Sequence, residues 1–180
     1  IGAQAADALL AGACNIALGF NALKIASAGA ENIAIGLLAM SGVTTGQADT
    51  NIAIGVGALT GAAGTTGNDN IALGTNAADA MLAAHSNIAI GLNAYGAATI
   101  GIKNIVIGCV AMSGVTTGQS DENIAIGTYA LTGNASTTGN RNIAIGYNTI
   151  AALTTGASNV AMGTNAMDAL TTGACNIAIG

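Results

Sequence analysis

The pentapeptide NIAIG stands at residues 123–127, and copies or near copies of it run through the whole chain of 180 residues. Its asparagine recurs at intervals of 17 or 19 residues, at Asn15, Asn32, Asn51, Asn70, Asn87, Asn104, Asn123, Asn142, Asn159 and Asn176. Four successive intervals span 72 residues, and MSGVTTGQADTNIAIG (40–55) returns at that distance as MSGVTTGQSDENIAIG (112–127). A repeat this short cannot bury a core alone, so we expect each unit to stack on its neighbours.

Apolar residues alternate within the motif, and the alternation predicts extended chain. The second and fourth positions are Ile, Leu, Val or Met, a period of two that is typical of a β-strand. A glycine follows at once, where the chain can turn sharply. The pattern predicts an all-β fold, a parallel β-solenoid (β-roll) of about ten coils, which forms a single domain over residues 1–180. We expect this domain to be a fragment of a longer repeat array.

Two kinds of corner are expected, because the coils have two lengths. The sixth residue after the motif asparagine is Asn in each complete 17-residue coil. In the 19-residue coils the same position holds Leu38, Gly57, Val110 or Tyr129.

The interior of the coil is predicted from the same alternation. The ten motif asparagines should stack in register as a ladder, in which each amide bonds to the amides above and below it. The second and fourth motif residues should form the core, as at Ile33, Ile35, Ile52, Ile54, Ile88, Ile90, Ile124 and Ile126.

The third motif position then points outward, because neighbouring side chains of a strand face opposite sides. No polar residue occurs there, whereas a strand washed by water on one face should alternate apolar with polar residues. We therefore predict a subunit interface at this position, formed by Ala17, Ala34, Ala53, Ala72, Ala89, Val106, Ala125, Ala144, Ala161 and Ala178. The alternative is that this face packs against the same chain in a very narrow solenoid.

Composition excludes several classes of protein. The chain is 52% apolar and 6% charged, with a net charge of −5, and its three cations, Lys24, Lys103 and Arg141, are scattered. A nucleic-acid partner is therefore not expected. Membrane insertion is not expected either, since no apolar run approaches the roughly 18–20 residues that a membrane helix needs.

No catalytic, metal or cofactor site is predicted. The one histidine, His85, has no repeated acid or nucleophile near it in equivalent coils, so we interpret it as a surface residue of a turn. Cys14 and Cys175 lie nine coils apart, roughly 40 Å at about 4.8 Å per coil, which is too far for a disulfide within one chain. We expect these two residues and Cys109 to be free thiols, with bridges between chains as the alternative.

The repeat resembles two families of fibrous proteins. The string G-x-x-N-I-A-I-G-x-x-A-L is similar to the head repeats of trimeric autotransporter adhesins, and still more to the TTGxxNxAIG repeats of phage tail-fibre proteins. The resemblance covers essentially all 180 residues, although adhesin-head coils are usually shorter. It implies a left-handed roll that assembles as a homotrimer, in an extracellular or virion fibre that reaches a host-cell surface receptor through other domains.

Function is therefore expected to be structural, as a shaft or adhesin segment of a tail fibre, without enzymatic activity. A bacterial surface adhesin head and a self-stacking extracellular filament are the alternatives. An ice-binding solenoid is a further alternative, because flat threonine arrays can order water and paired threonines recur in six turns. These pairs are Thr44–Thr45, Thr65–Thr66, Thr116–Thr117, Thr137–Thr138, Thr154–Thr155 and Thr171–Thr172.

Overall fold

A computed structural model describes residues 1–9, 11–25, 29–42, 48–61, 67–115, 119–134 and 136–180 of the chain. Its regular structure consists of ten three-residue strands, one in each copy of the motif. In chain order they are β1 (Ile16–Leu18), β2 (Ile33–Ile35), β3 (Ile52–Ile54), β4 (Ile71–Leu73), β5 (Ile88–Ile90), β6 (Ile105–Ile107), β7 (Ile124–Ile126), β8 (Ile143–Ile145), β9 (Val160–Met162) and β10 (Ile177–Ile179).

The strands form one parallel sheet whose order follows the chain from β1 to β10. Equivalent motif residues pair in every step, as Ala34 does with Ala53, and each strand contacts only the strand before and the strand after it. This topology is a parallel β-solenoid of stacked coils, and it confirms the predicted fold class.

Left-handed backbone makes the corners of the coil. The motif glycine has a φ of 133° at Gly127, and a Cβ built there would lie 2.3 Å from the carbonyl oxygen of Gly146 in the next coil. Two residues further on, φ is again positive, with values of 56° at Asn21 and 58° at Val110. Asparagine tolerates this conformation better than branched residues do, but Leu38, Val110 and Tyr129 of the 19-residue coils adopt it as well, so the two coil lengths share this corner.

The inner face of the sheet is lined by the third motif residue. The eight residues at this position in β2 to β9 have no exposed surface: Ala34, Ala53, Ala72, Ala89, Val106, Ala125, Ala144 and Ala161. Their counterparts at the two ends of the sheet, Ala17 and Ala178, are half-buried. The buried alanines of the second apolar pair, such as Ala39 and Ala58, belong to the same core.

The predicted orientation of the strands is therefore wrong, because the alanine face is the interior of a single chain and not its outer surface. The residues predicted as the core lie on the outside. Ile33, Ile35, Ile52, Ile88, Ile90, Ile124 and Ile126 are half-buried, and Ile54 is 39% exposed. The physical reason is the narrowness of the coil, which leaves room beneath the strand for a methyl group or, at Val106, for the short side chain of valine, and not for isoleucine.

Larger apolar residues fill the interior beyond the alanines. Leu23, Met40, Leu59, Tyr95, Met112, Leu131 and Ile150 occupy one column and are buried. Volumes compensate within a coil: the small Ala78 accompanies Met81, whereas the large Tyr95 accompanies Ala98. Close packing of this kind is expected of protein interiors.

The predicted asparagine ladder is confirmed. In each of its nine links, the Oδ1 atom of one asparagine accepts the backbone N–H of the next at 2.8–3.0 Å. The same oxygen accepts the next Nδ2 at 2.9–3.2 Å. The Nδ2 of Asn87, for example, also donates to Gly101 of the next coil at 2.8 Å. Both polar atoms of each inner side chain are thus fully bonded, as burial requires.

Candidate assembly surface

The outer face of the sheet is an uncharged and largely apolar surface. It consists of the second and fourth motif residues, which point away from the core, and of the residue that follows each motif glycine. We call this surface the outer strip: its first two columns are the flanking residues of β1 to β10, and its third column is Phe20, Leu37, Val56, Thr75, Leu92, Cys109, Thr128, Tyr147 and Thr164. The outer strip contains no charged residue.

Exposure of large apolar side chains is confined to this side of the coil. Within the described residues, each exposed large hydrophobic residue lies on the outer strip, on the residue after its third column (Leu38 and Tyr129), or at Ile1, which is a fourth motif residue. Ten strands at about 4.8 Å and three columns give the outer strip an area of roughly 600 Å². That is the upper end of what soluble monomers expose, and a stable interface buries about 800 Å² on each partner. The outer strip is therefore a candidate surface for contact between chains, somewhat smaller than a standard interface.

One edge of the outer strip carries charge. We call it the leading edge; it consists of the residue before each motif asparagine, namely Cys14, Glu31, Thr50, Asp69, Ser86, Lys103, Glu122, Arg141, Ser158 and Cys175. Neighbouring coils interact along it, since Nε of Arg141 donates to Oε2 of Glu122 at 2.8 Å. This hydrogen bond lowers the pKa of Glu122, and the charge of Lys103 lowers it further.

The opposite edge carries no charge and holds two exposed tyrosines. We call it the trailing edge; it consists of the two residues after each motif glycine, at 20–21, 37–38, 56–57, 75–76, 92–93, 109–110, 128–129, 147–148 and 164–165. Tyr129 and Tyr147 lie on adjacent coils, with ring centroids 6.0 Å apart and planes at 84°. Tyr129 is the sixth residue after its motif asparagine and Tyr147 the fifth, so the equivalence of repeat positions does not predict this contact.

A second, partial ladder explains His85. His85 lies two residues before the motif asparagine Asn87, at a position where a side chain can accept a hydrogen bond from a backbone N–H of the preceding coil. Nδ1 of His85 accepts the N–H of Asn68 at 3.1 Å, and Asn68 in turn accepts the N–H of Asp49 through Oδ1 at 2.9 Å. The observed contacts of His85 are thus structural bonds between coils.

Tyr95 is a buried polar residue that the sequence did not single out. Its hydroxyl accepts a hydrogen bond from Nδ2 of Asn104 at 2.9 Å and reaches the place where Gly101 has no side chain. Burial raises the pKa of the Tyr95 hydroxyl well above its usual range. It is therefore neutral under ordinary conditions and links the apolar column to the asparagine ladder.

The paired threonines of the described turns differ in exposure, because the second residue of each pair, Thr138, Thr155 and Thr172, is exposed, whereas the first is buried at Thr137, half-buried at Thr154 and exposed at Thr171. Thr137 is buried and its hydroxyl donates to the carbonyl of Leu153 at 2.9 Å, whereas Thr138 is exposed. Thr154–Thr155 and Thr171–Thr172 lie in comparable turns. The pairs Thr44–Thr45, Thr65–Thr66 and Thr116–Thr117 lie outside the described residues.

The three cysteines are free, with Cys14 and Cys175 exposed and Cys109 half-buried. Within the described ranges, no group of three or more His, Cys, Asp and Glu side chains is arranged to hold a metal ion, and no pocket opens on that surface. The same part of the chain contains no helix of the length and hydrophobicity that crossing a bilayer requires.

Comparison with known proteins gives no match to this chain, whether among protein-family models, curated proteins or solved structures.

Proposed function

We propose that this chain is a non-enzymatic shaft segment of an extracellular or virion fibre, resembling phage tail fibres, and that it assembles as a homotrimer. The observation that supports this proposal is the outer strip, an uncharged apolar surface that follows the full height of the sheet. Burial of that surface against further copies of the chain would remove roughly 600 Å² of apolar area from water on each copy.

The construction of the coil suits a rigid rod. Each coil is joined to the next by backbone hydrogen bonds at the strand and the corners, and by one link of the asparagine ladder. Because these contacts recur at every level, stiffness does not depend on any single coil. A receptor on a host cell would be reached by other domains of the fibre.

The placement of the outer strip supports a cyclic assembly. The strip lies on one side of the coil, so several copies can turn it toward a common axis and bury it together. We propose three left-handed copies, as the resemblance to trimeric fibre proteins implies. In this arrangement the inter-chain seam lies at the isoleucine columns, whereas the alanines stay inside each chain.

The mass of the chain in solution tests this proposal. Sedimentation velocity and light scattering should give three times the chain mass of 17.1 kDa at micromolar concentration. A charge placed on the outer strip, by Ile126→Lys, should reduce this mass to that of one chain while the circular dichroism spectrum is retained.

The matched control is Ala152→Lys, which places the same charge on an exposed residue away from the outer strip. It should leave the trimer mass unchanged. A wild-type chain that stays monomeric at all accessible concentrations would overturn the proposed assembly.

A further inference from the structure

The outer strip cannot by itself fix the height at which two copies meet. Its first two columns repeat nearly the same residue in every coil, with Ile at nine of the ten second positions and at seven of the ten fourth positions. A slip by one coil, about 4.8 Å, would bring isoleucine against isoleucine again. Register must therefore come from residues that differ between coils, and these lie on the two edges.

The edges meet in any parallel cyclic assembly that turns the outer strip toward its axis. The strands then run around the axis, so the start of each strand in one copy approaches the end of the equivalent strand in the next. In register, the leading edge of one copy faces the trailing edge of its neighbour at the same height. Strand β8 is preceded by Arg141 and followed by Tyr147, so these two residues would meet between copies.

We propose that Arg141 of one copy stacks on the Tyr129–Tyr147 pair of the next copy, and that this contact sets the parallel, in-register alignment of the fibre. The inference rests on the proposed self-association and names the residues that specify it. Arg141 is the single arginine of the chain, and Tyr129 and Tyr147 are the two tyrosines that are exposed.

The geometry of Arg141 leaves it free to make this contact. Its Nε bonds to Glu122 in the plane of the guanidinium group, and its side chain is still 71% exposed. Both faces of the group can therefore lie against a ring while the bond to Glu122 is kept. Tyr147 is 52% exposed and Tyr129 41%. A planar guanidinium on an aromatic face is a favourable cation–π pair, and it becomes stronger when water is excluded.

Other alignments lose or weaken this contact. A slip of one coil in one direction places Arg141 beside Thr164 and Asn165, which have no ring. A slip in the other direction places it beside Thr128 and Tyr129 and moves it one coil away from Tyr147. An antiparallel face-to-face pair with co-directional strands brings the leading edge against another leading edge, where no aromatic residue occurs.

Substitutions that copy residues from equivalent positions test the contact with little effect on the coil. Arg141→Ser uses the residue of position 158, and Tyr147→Thr uses that of position 164. Each should raise the dissociation constant about fivefold to thirtyfold per contact in sedimentation equilibrium, and the double variant should lose little more than either alone. Arg141→Lys should lose part of the affinity, because it keeps the charge without the planar group.

Two controls separate this contact from general charge effects. Glu31→Ser removes a leading-edge charge that faces Leu37, and Glu122→Gln removes the partner of Arg141 within the chain. Both should keep the wild-type dissociation constant within about twofold. Independent, additive effects of Arg141→Ser and Tyr147→Thr would overturn the proposed contact.

A disulfide gives a direct test of register. Lys103 precedes β6 and Cys109 follows it, so Lys103→Cys in a Cys14→Ser, Cys175→Ser background places the new thiol beside Cys109 of the next copy. Oxidised glutathione should link the copies through this pair. Within one chain the two thiols stand at opposite ends of a strand, on the order of 15 Å apart, which prevents an internal bond.

Thr50→Cys in the same background is the control, since it lies three coils away from the level of Cys109 and should not form the bond. A trimer that forms the bond equally well from both positions, or from neither, would overturn the in-register alignment and leave the proposed self-association intact. A monomeric wild-type chain would overturn both.

Discussion

Both faces of the sheet are apolar, but only one of them is fully buried. On the inner face, the alanines of β2 to β9 have no exposed surface, whereas on the outer face the isoleucines are half-buried at best. Hydrophobicity alone would place the isoleucines inside, because a branched side chain gains more from burial than a methyl group does. The coil is too narrow for isoleucine beneath the strand. The size of the side chain therefore determines which face is buried, in spite of the larger transfer free energy of isoleucine.

The polar residues show the same contrast. Inside, each asparagine of the ladder from Asn32 to Asn159 is buried and fully bonded. Outside, Glu122 and Arg141 pair in the open, where an ion pair contributes little to stability. The interior fixes the shape of the coil, and the exterior is free to specify what the coil meets.

The largest expected effect is the loss of one asparagine from the middle of the ladder. Asn87→Ala removes the acceptor of Asn104, the donor to Gly101 and the donor to Asn70, all of them buried. We expect it to lower the free energy of unfolding by about 4–6 kcal/mol in urea titration, since each unsatisfied buried group costs about 1–3 kcal/mol.

Asn176→Ala, at the last level of the ladder, is the matched control and should cost about 1 kcal/mol, because Asn176 is exposed. Equal losses at the two positions would show that the interior ladder is not more important than its exposed end.

The next largest effect is expected when side-chain volume is increased on the inner face, compared with a change of side chain on the outer face. Ala125→Leu forces a larger side chain into the buried face, and we expect a loss of about 3 kcal/mol or more in the unfolding free energy. Ile124→Thr, one residue earlier on the outer face, should cost less than about 1 kcal/mol in dilute solution, since its side chain is half-buried in a single chain. The reverse order in chemical denaturation would contradict the observed orientation of the strands.

A smaller effect is expected where Tyr95 crosses the interior. A Cβ at Gly101 would lie 1.8 Å from the Tyr95 hydroxyl and 2.7 Å from the carbonyl oxygen of Ser120. We expect Gly101→Ala to cost about 2 kcal/mol, and Tyr95→Met to recover part of that loss when the two are combined. Thermal unfolding of the two single variants and the double variant measures the coupling, and strict additivity would argue against the clash.

The smallest expected effect is the dependence of stability on pH through the Glu122–Arg141 pair. Arg141 lowers the pKa of Glu122 in the folded chain, so the pair contributes stability above the ordinary glutamate value of 4.5. That contribution should disappear as the pH falls through the lowered pKa. The difference in unfolding midpoint between wild type and Glu122→Gln should be slight at pH 7 and vanish near pH 2. A difference that grows in acid would contradict this assignment.

Much of the architecture could be predicted from the spacing of the motif. The solenoid and the ladder follow from the recurrence of Asn–Ile–Ala–Ile–Gly, because in-register stacking brings equal residues together. The direction in which the strand faces could not be predicted, since Ile124 and Ala125 are both apolar and a period of two fits either orientation. The lack of polar residues at the position of Ala125 correctly indicates burial, but only the width of the coil decides that the same chain buries it.

The candidate surface was harder to predict for a related reason. Tyr129 and Tyr147 lie in coils of different length, so their contact depends on which corner positions align in space. The bond from His85 to Asn68 likewise depends on the tilt of a turn. Such contacts depend on the path of the chain between strands. The repeat length limits this path but does not determine it.

Contacts that are restricted to neighbouring coils give the rod a distinctive response to force. When its two ends are pulled apart along the axis, an outermost coil can peel away while the remainder keeps its structure. Each event would release 17 or 19 residues, which lengthens the chain by about 55–65 Å at full extension. We expect a force–extension trace in which the contour length increases in steps of two sizes, one for each coil length. A stiff spacer would then lengthen under load one coil at a time.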